Sequence, residues 1–184
     1  MDRRTSLKLA GGVGLTLLTA FAPSWTVAQN RDRDRDRDRD RPRLGDAEER
    51  HIRETLELGA VSLETSRLAK ERARDTWVKK FAEYETAEQE TIGEVLRSLG
   101  AKLSQDARED RRQARRDLRE ASGRAFEEAY LEVQAEGHAQ LLSVQDAYIR
   151  AGKDEQHLGI ARLARGQIRE HIDLIKTIRQ QLKA

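Results

Sequence analysis

The chain has 184 residues, of which 37% are charged and only 4% aromatic, with two prolines and no cysteine. That balance suits helices rather than sheets, and it excludes disulfides, thiol chemistry and a lipid carried on an N-terminal cysteine. The formal charge of +2 is accounted for within residues 1–28, where Arg3, Arg4 and Lys8 stand against Asp2. The remainder is formally neutral and lacks the lopsided basic footprint of a nucleic-acid binder.

Residues 1–28 read as an export signal. A charged start with paired arginines, Arg3-Arg4-Thr5-Ser6-Leu7-Lys8, precedes a modestly apolar run over residues 9–22. Thr26-Val27-Ala28 then supplies small residues for cleavage between Ala28 and Gln29. The pattern resembles a twin-arginine signal. Ser6 stands where an aromatic is common, so a general secretory signal is the alternative. Either route delivers the chain to the periplasm or cell envelope. The apolar run falls short of the about 20 residues needed to span a bilayer, so the processed chain is not expected to be an integral membrane protein.

Residues 29–45 hold five Arg-Asp pairs followed by Arg41-Pro42-Arg43. Alternating charges leave nothing to bury, and a disordered tether is expected. The seven arginines could also touch anionic polymers or headgroups, but the interleaved aspartates weaken their field.

From residue 46 onward, apolar residues recur at steps of three and four, the period of a helix. A first helix is expected over 46–72, capped by Asp46, with Ile52, Leu56, Gly59, Leu63 and Ser66 on one stripe and Leu58, Val61 and Leu68 on another. Glu64 lies at their border. A short connection containing Asp75 leads to an antiparallel second helix over 76–99, stopped by Gly100. Its stripe is read as Trp77, Phe81, Tyr84, Glu88, Ile92, Val95 and Leu99. A carboxylate in an apolar seam needs a cationic partner, a metal or a proton, which makes Glu88 the sharpest anomaly in the chain.

Residues 101–123 are arginine-rich among acids, with a thin stripe of Ala107, Ala114, Leu118 and Ala121. A solvated helical connector fits them, spanning on the order of 35 Å and so reaching from one end of a bundle to the other. A helix central to the bundle is expected over 122–150, its wide apolar arc formed by Phe126, Tyr130, Val133, Gly137, Leu141, Val144 and Tyr148 flanked by Leu131, His138, Leu142 and Ile149. After the stop at Gly152, a last helix over 155–182 carries the seam His157, Ala161, Ala164, Ile168, His171, Ile175, Ile178 and Leu182. The expected fold is therefore all-α over residues 46–184: a ferritin-like four-helix bundle with a long helical crossover between its second and third helices.

The segments LELGAVSLETSRLA, VKKFAEYETAEQET, SGRAFEEAYLEVQAEGHAQLL and REHIDLI resemble the exported bacterial family called domain of unknown function 4142, described as ferritin-like. Gly123, Phe126, Tyr130 and His138 carry most of that resemblance, which covers about residues 50–182. The family commonly has Asp-His where this chain has Glu88-Gln89, and Leu-Pro where it has Gly166-Gln167. The resemblance implies a fold but no activity.

Ferritin-like di-iron sites use Glu-x-x-His pairs on two helices, so that i and i+3 ligands face one cavity. The sequence offers only Glu48 to His51, at the edge of the first helix, so a full di-iron set is not expected. One carboxylate from each of the first two helices, Glu64 and Glu88, and one histidine from each of the last two, His138 and His171, face inward. Four such ligands could hold a single Zn²⁺, Mn²⁺ or Fe²⁺. No nucleophile elbow or phosphate-cradling loop is present. The leading expectation is thus a non-catalytic envelope protein with a structural, stress-related or partner-binding role, or one that self-associates. The alternative is a metal-binding protein, with a cluster of the four side chains as the discriminating observation.

Overall fold

The computed structural model describes residues 45–183, and the expected export signal and Arg-Asp tether lie outside the described residues. Among the described residues the regular structure is entirely helical: α1 (Asp46–Arg72), α2 (Thr76–Ser98), α3 (Gln105–Glu120), α4 (Gly123–Ala151) and α5 (Glu155–Lys183). None of these is long and apolar enough to cross a membrane.

The N-cap of α1 is Gly45 rather than Asp46, and Asp46, Glu48 and Glu49 occupy its first turn. There their charges oppose the positive end of the helix dipole. Asp75 caps α2, accepting from the amides of Trp77 at 2.8 Å and Val78 at 3.0 Å. The chain leaves α2 through Gly100, whose φ of 96° is costly for any residue with a Cβ. Its amide donates to the Arg97 carbonyl and that of Ala101 to Leu96, the paired bonds of a Schellman stop.

Contacts fix the helix directions. Leu96 near the end of α2 clusters with Ile52 and Leu56 near the start of α1, so the two are antiparallel. On α3, Arg115 pairs with Glu64 midway along α1. Farther on, Arg72 donates to the Leu118 and Ala121 carbonyls at 3.3 and 2.6 Å. Helix α3 therefore runs parallel to α1 and returns the chain to the end where α2 began. With 16 residues it spans about 24 Å, shorter than the connector expected from the sequence. Helix α4 then runs antiparallel to α1, and α5 folds back along α4 through Leu141, Ala164 and Ile168. The α5 seam is close to the one expected: His157, Ala161, Ala164, Ile168, Ile175, Ile178 and Leu182 are buried, Leu158 joins them, and His171 is half-buried.

Helix α2 is rotated from the expected face, and α4 buries polar residues beside its expected stripe of Phe126, Tyr130, Leu141 and Tyr148. On α2, Trp77 and Tyr84 are each 57% exposed, while Val78, Phe81, Ala82, Glu85, Thr86, Gln89, Gly93 and Leu96 are buried. The sequence reading followed the large rings; the packed face is instead the one with small residues, which lets α2 approach α1 closely. At Gly59 on α1, an added Cβ would meet the end of the Gln89 side chain. On α4 the buried face includes Glu127, Gln134 and Gln145, whereas Val133 and Val144 are only half-buried.

Those glutamines form a polar seam with α1. Gln134 Nε2 donates to Thr65 Oγ1 at 2.9 Å, Gln145 Nε2 to Thr55 Oγ1 at 3.0 Å, and Ser66 shares a 2.8 Å hydrogen bond with the Tyr130 hydroxyl. Buried polar groups matched in this way avoid the desolvation cost of unpaired ones and admit one register.

The rotation of α2 has a direct test. Phe81→Ala should cost about 3–5 kcal/mol of unfolding free energy, the range for a deleted core aromatic. Tyr84→Ala should stay within about 0.5 kcal/mol, as for a surface site. Urea denaturation of both variants checks the assignment; comparable losses would put both rings in the core.

Candidate functional site

The cluster lies where α2, α4 and α5 meet, with α1 behind it. Glu85 has no exposed surface and His138 is 1% exposed. Glu85 Oε2 is 2.8 Å from His171 Nδ1 and 3.3 Å from His138 Nε2, and the two nitrogens are 3.2 Å apart. Three potential donor atoms from three helices thus form a nearly equilateral triangle. The Phe81 ring stands edge-on to His171 with centroids 5.3 Å apart, an apolar wall beside it.

Each donor is oriented from behind. His138 Nδ1 is 2.7 Å from the Gln134 backbone carbonyl, which can only accept, so that nitrogen carries the hydrogen and Nε2 presents its lone pair to the cluster. The bond between the rings is then donated by His171 Nδ1. On its far side, His171 Nε2 lies 3.4 Å from Glu88 Oε2. Ser62 Oγ donates to Glu85 Oε1 at 2.5 Å and lies 2.7 Å from Gln134 Oε1. Glu85 Oε2 is fully enclosed and takes no well-directed hydrogen bond.

The electrostatics follow from this packing. Burial pushes the Glu85 carboxyl up, but the His171 imidazole beside it and the Ser62 hydroxyl outweigh it and hold it well below the usual carboxylate range. Burial pushes the His171 imidazole down, and Glu85 and then Glu88 overcome that, leaving it raised. For Glu88 burial prevails, and its carboxyl is raised. The cluster thus places an imidazole whose charged form is favoured between two carboxyl groups, one of them fully buried.

Of the residues singled out from the sequence, His138 and His171 sit at the centre and Glu88 at the rim. Glu64 is elsewhere: it turns toward α3, where Arg115 neutralises it. The carboxylate at the centre is Glu85, which the sequence reading passed over. Its signal was the small-residue face of α2, on which Ala82, Thr86 and Gly93 accompany Phe81. The Glu48–His51 pair is buried but engaged at the other end of α4, with Tyr148 and Gln145.

Among the described residues the protein is all-helical, with a glutamate and two histidines converging in its interior. Residues 35–178 match the model of the family described as Domain of unknown function (DUF4142), and the chain belongs to that family. No curated protein and no solved structure is significantly similar to it.

The ion pair predicts the titration of His171. Because its folded-state pKa is raised, its contribution to stability is fully present below the unfolded value of about 6.5 and is lost as pH rises through the folded value. Histidine NMR should place His171 above 6.5, and Glu85→Gln should lower it, since burial is then opposed only by Glu88 and, more weakly, Glu170. A value unchanged in Glu85→Gln would disprove the pairing.

Proposed function

We propose that this protein is an exported, ferritin-like four-helix bundle that binds a single divalent transition-metal ion through Glu85, His138 and His171. The observation that carries the reading is the convergence of the three donor atoms, combined with the fact that each imidazole has its other nitrogen already directed at an acceptor. Metal-binding histidines have that arrangement, with a carbonyl or carboxylate fixing the tautomer. Tetrahedral donors about 2.0–2.1 Å from an ion lie about 3.3 Å apart, and octahedral neighbours about 3 Å apart, close to the separations within this triangle. The donor set suits Zn²⁺, Mn²⁺ or Fe²⁺, and three protein ligands leave positions for water or substrate. A bound ion would supply Lewis acidity, and iron or manganese would add redox chemistry.

The remaining parts of the reading rest on topology and sequence. Helices α2 and α4 run in the same direction and are joined by α3 alongside the bundle, the arrangement of a ferritin-like crossover. Residues 1–28 support export to the periplasm or envelope. The proton that His171 Nδ1 directs at His138 occupies the position an ion would take, so the ion pair is the form that a metal would displace. A purely structural role for that pair is the competing reading.

Metal analysis and calorimetric titration of the protein beginning at Gln29, with Zn²⁺, Mn²⁺ and anaerobic Fe²⁺, separate the two. We expect one ion per chain, with stabilisation of about 2.7 kcal/mol at a hundredfold excess over Kd. Glu85→Gln, His138→Ala and His171→Ala should abolish binding, Glu64→Ala should leave it intact, and Glu88→Gln should weaken it on the order of 10–100-fold. No bound ion and no rise in melting temperature would leave the cluster as an internal ion pair.

A further inference from the structure

A second polar cluster lies at the other end of the bundle, where the start of α1 meets the turn between α4 and α5. Glu48, 7% exposed, reaches across from α1. Its Oε1 accepts from the Tyr148 hydroxyl at 2.9 Å, the Lys153 amide at 3.1 Å and the Asp154 amide at 3.4 Å. One carboxylate oxygen therefore ties the first turn of α1 to the end of α4 and to the following turn. His51, one helical turn further along α1, lies flat on the Tyr148 ring, with centroids 4.2 Å apart and planes 16° apart. The edge of His157 from α5 approaches the same ring at 6.3 Å.

The hydrogens on His51 can be assigned. Gln145 Nε2 donates to Thr55, so its Oε1 faces His51 Nε2 at 2.7 Å and must receive the hydrogen from that nitrogen. His51 Nδ1 is then a lone pair, and it is buried with no hydrogen-bond partner. A proton added there would place a charged N–H where nothing accepts it, in a side chain only 2% exposed. The charges around it do not remedy this. On α1 the neighbours are Glu48, whose Oε1 is already turned to Tyr148 and the α4–α5 turn, and Arg50 and Glu54, which line a cavity of about 160 Å³ beside the ring. Tyr148 on α4 is neutral, its hydroxyl pushed up by burial and by Glu48. In the turn, the Asp154 carboxylate is taken by His157 Nδ1 and by the His157 amide, both at 2.9 Å. On α5, His157 turns its own buried, unpartnered Nε2 toward the interior.

We propose that this cluster is an acid-sensitive latch: His51 can take up a proton only when the first turns of α1 lift from Tyr148 and the α4–α5 turn. Burial holds the His51 imidazole below its ordinary range, which agrees with the geometry. A base depressed in the folded state contributes stability that is full above the unfolded pKa of about 6.5 and declines as pH falls toward the folded value. Local opening at one end of the bundle need not become global unfolding.

Hydrogen exchange of the full chain at pH 7.5 and 5.5, corrected for intrinsic rates, tests the latch. For one group titrating across that interval, opening of residues 46–52 and 148–158 should rise about tenfold, while amides around Phe81 and Tyr130 keep their protection. His51→Phe keeps a flat ring on Tyr148 without a titrating nitrogen and should remove the acid-dependent rise. Tyr148→Phe leaves the imidazole but breaks the bond to Glu48, and should raise opening at both pH values with the rise retained. Equal protection at the two pH values, or the same rise in His51→Phe, would overturn the proposal. A directly measured His51 pKa at or above 6.5 would also overturn it, whatever the behaviour of the variants.

Discussion

A carboxylate with no exposed surface cannot be left to itself in a protein interior, and the requirement to compensate Glu85 shapes the middle of this bundle. Removing an ionised carboxylate from water costs several kcal/mol even after relaxation, which is recovered only by close opposite charge and hydrogen bonds. Here α5 supplies the charge through His171, α1 a hydroxyl, and α4 a second imidazole that accepts from His171. Each of those groups is held in turn: His138 by the backbone of its own helix, and Ser62 by contact with Gln134. The four helices are thus brought to one depth by the needs of one side chain. The same demand makes the cluster a candidate for metal, because whatever stabilises a buried anion in this way can be replaced by a cation.

The outer parts of the architecture were legible because they rest on local rules. Asp75 and Gly100 marked the ends of α2 by capping and by a positive φ, and the four-and-three seam of α5 matched the observed burial closely. The inner face of α2 was not legible, since hydrophobic periodicity weighs Trp77 and Tyr84 above Ala82 and Gly93. Close helix approach depends on small residues. Once the face is rotated, Glu88 moves to the rim and Glu85 to the centre, three positions apart on the same helix. Glu64 was misplaced for a different reason: its partner, Arg115, belongs to the one helix expected to be solvated.

The buried polar residues of α1 and α4 explain why no simple apolar stripe describes either helix. Gln134 and Gln145 meet serine and threonine side chains on α1 rather than aliphatic ones. A pattern that sorts residues into apolar and polar places such glutamines outside. Their burial becomes visible only when the opposing helix is known, because each is satisfied by a partner about 70 to 90 positions away in the chain.

The order of connections has a kinetic consequence. The α1–α2 and α4–α5 pairs are hairpins closed by short turns, so their contacts are local and inexpensive in loop entropy. The α1–α4 seam, by contrast, joins residues separated by 72 positions at Ser62 and Gln134 and by 100 at Glu48 and Tyr148. Glu85 belongs to the first hairpin, and His138 and His171 belong to the second. The cluster therefore comes into being only when the two halves dock. An ion that binds it would act on the last step of assembly, trapping the docked form without altering how either hairpin forms.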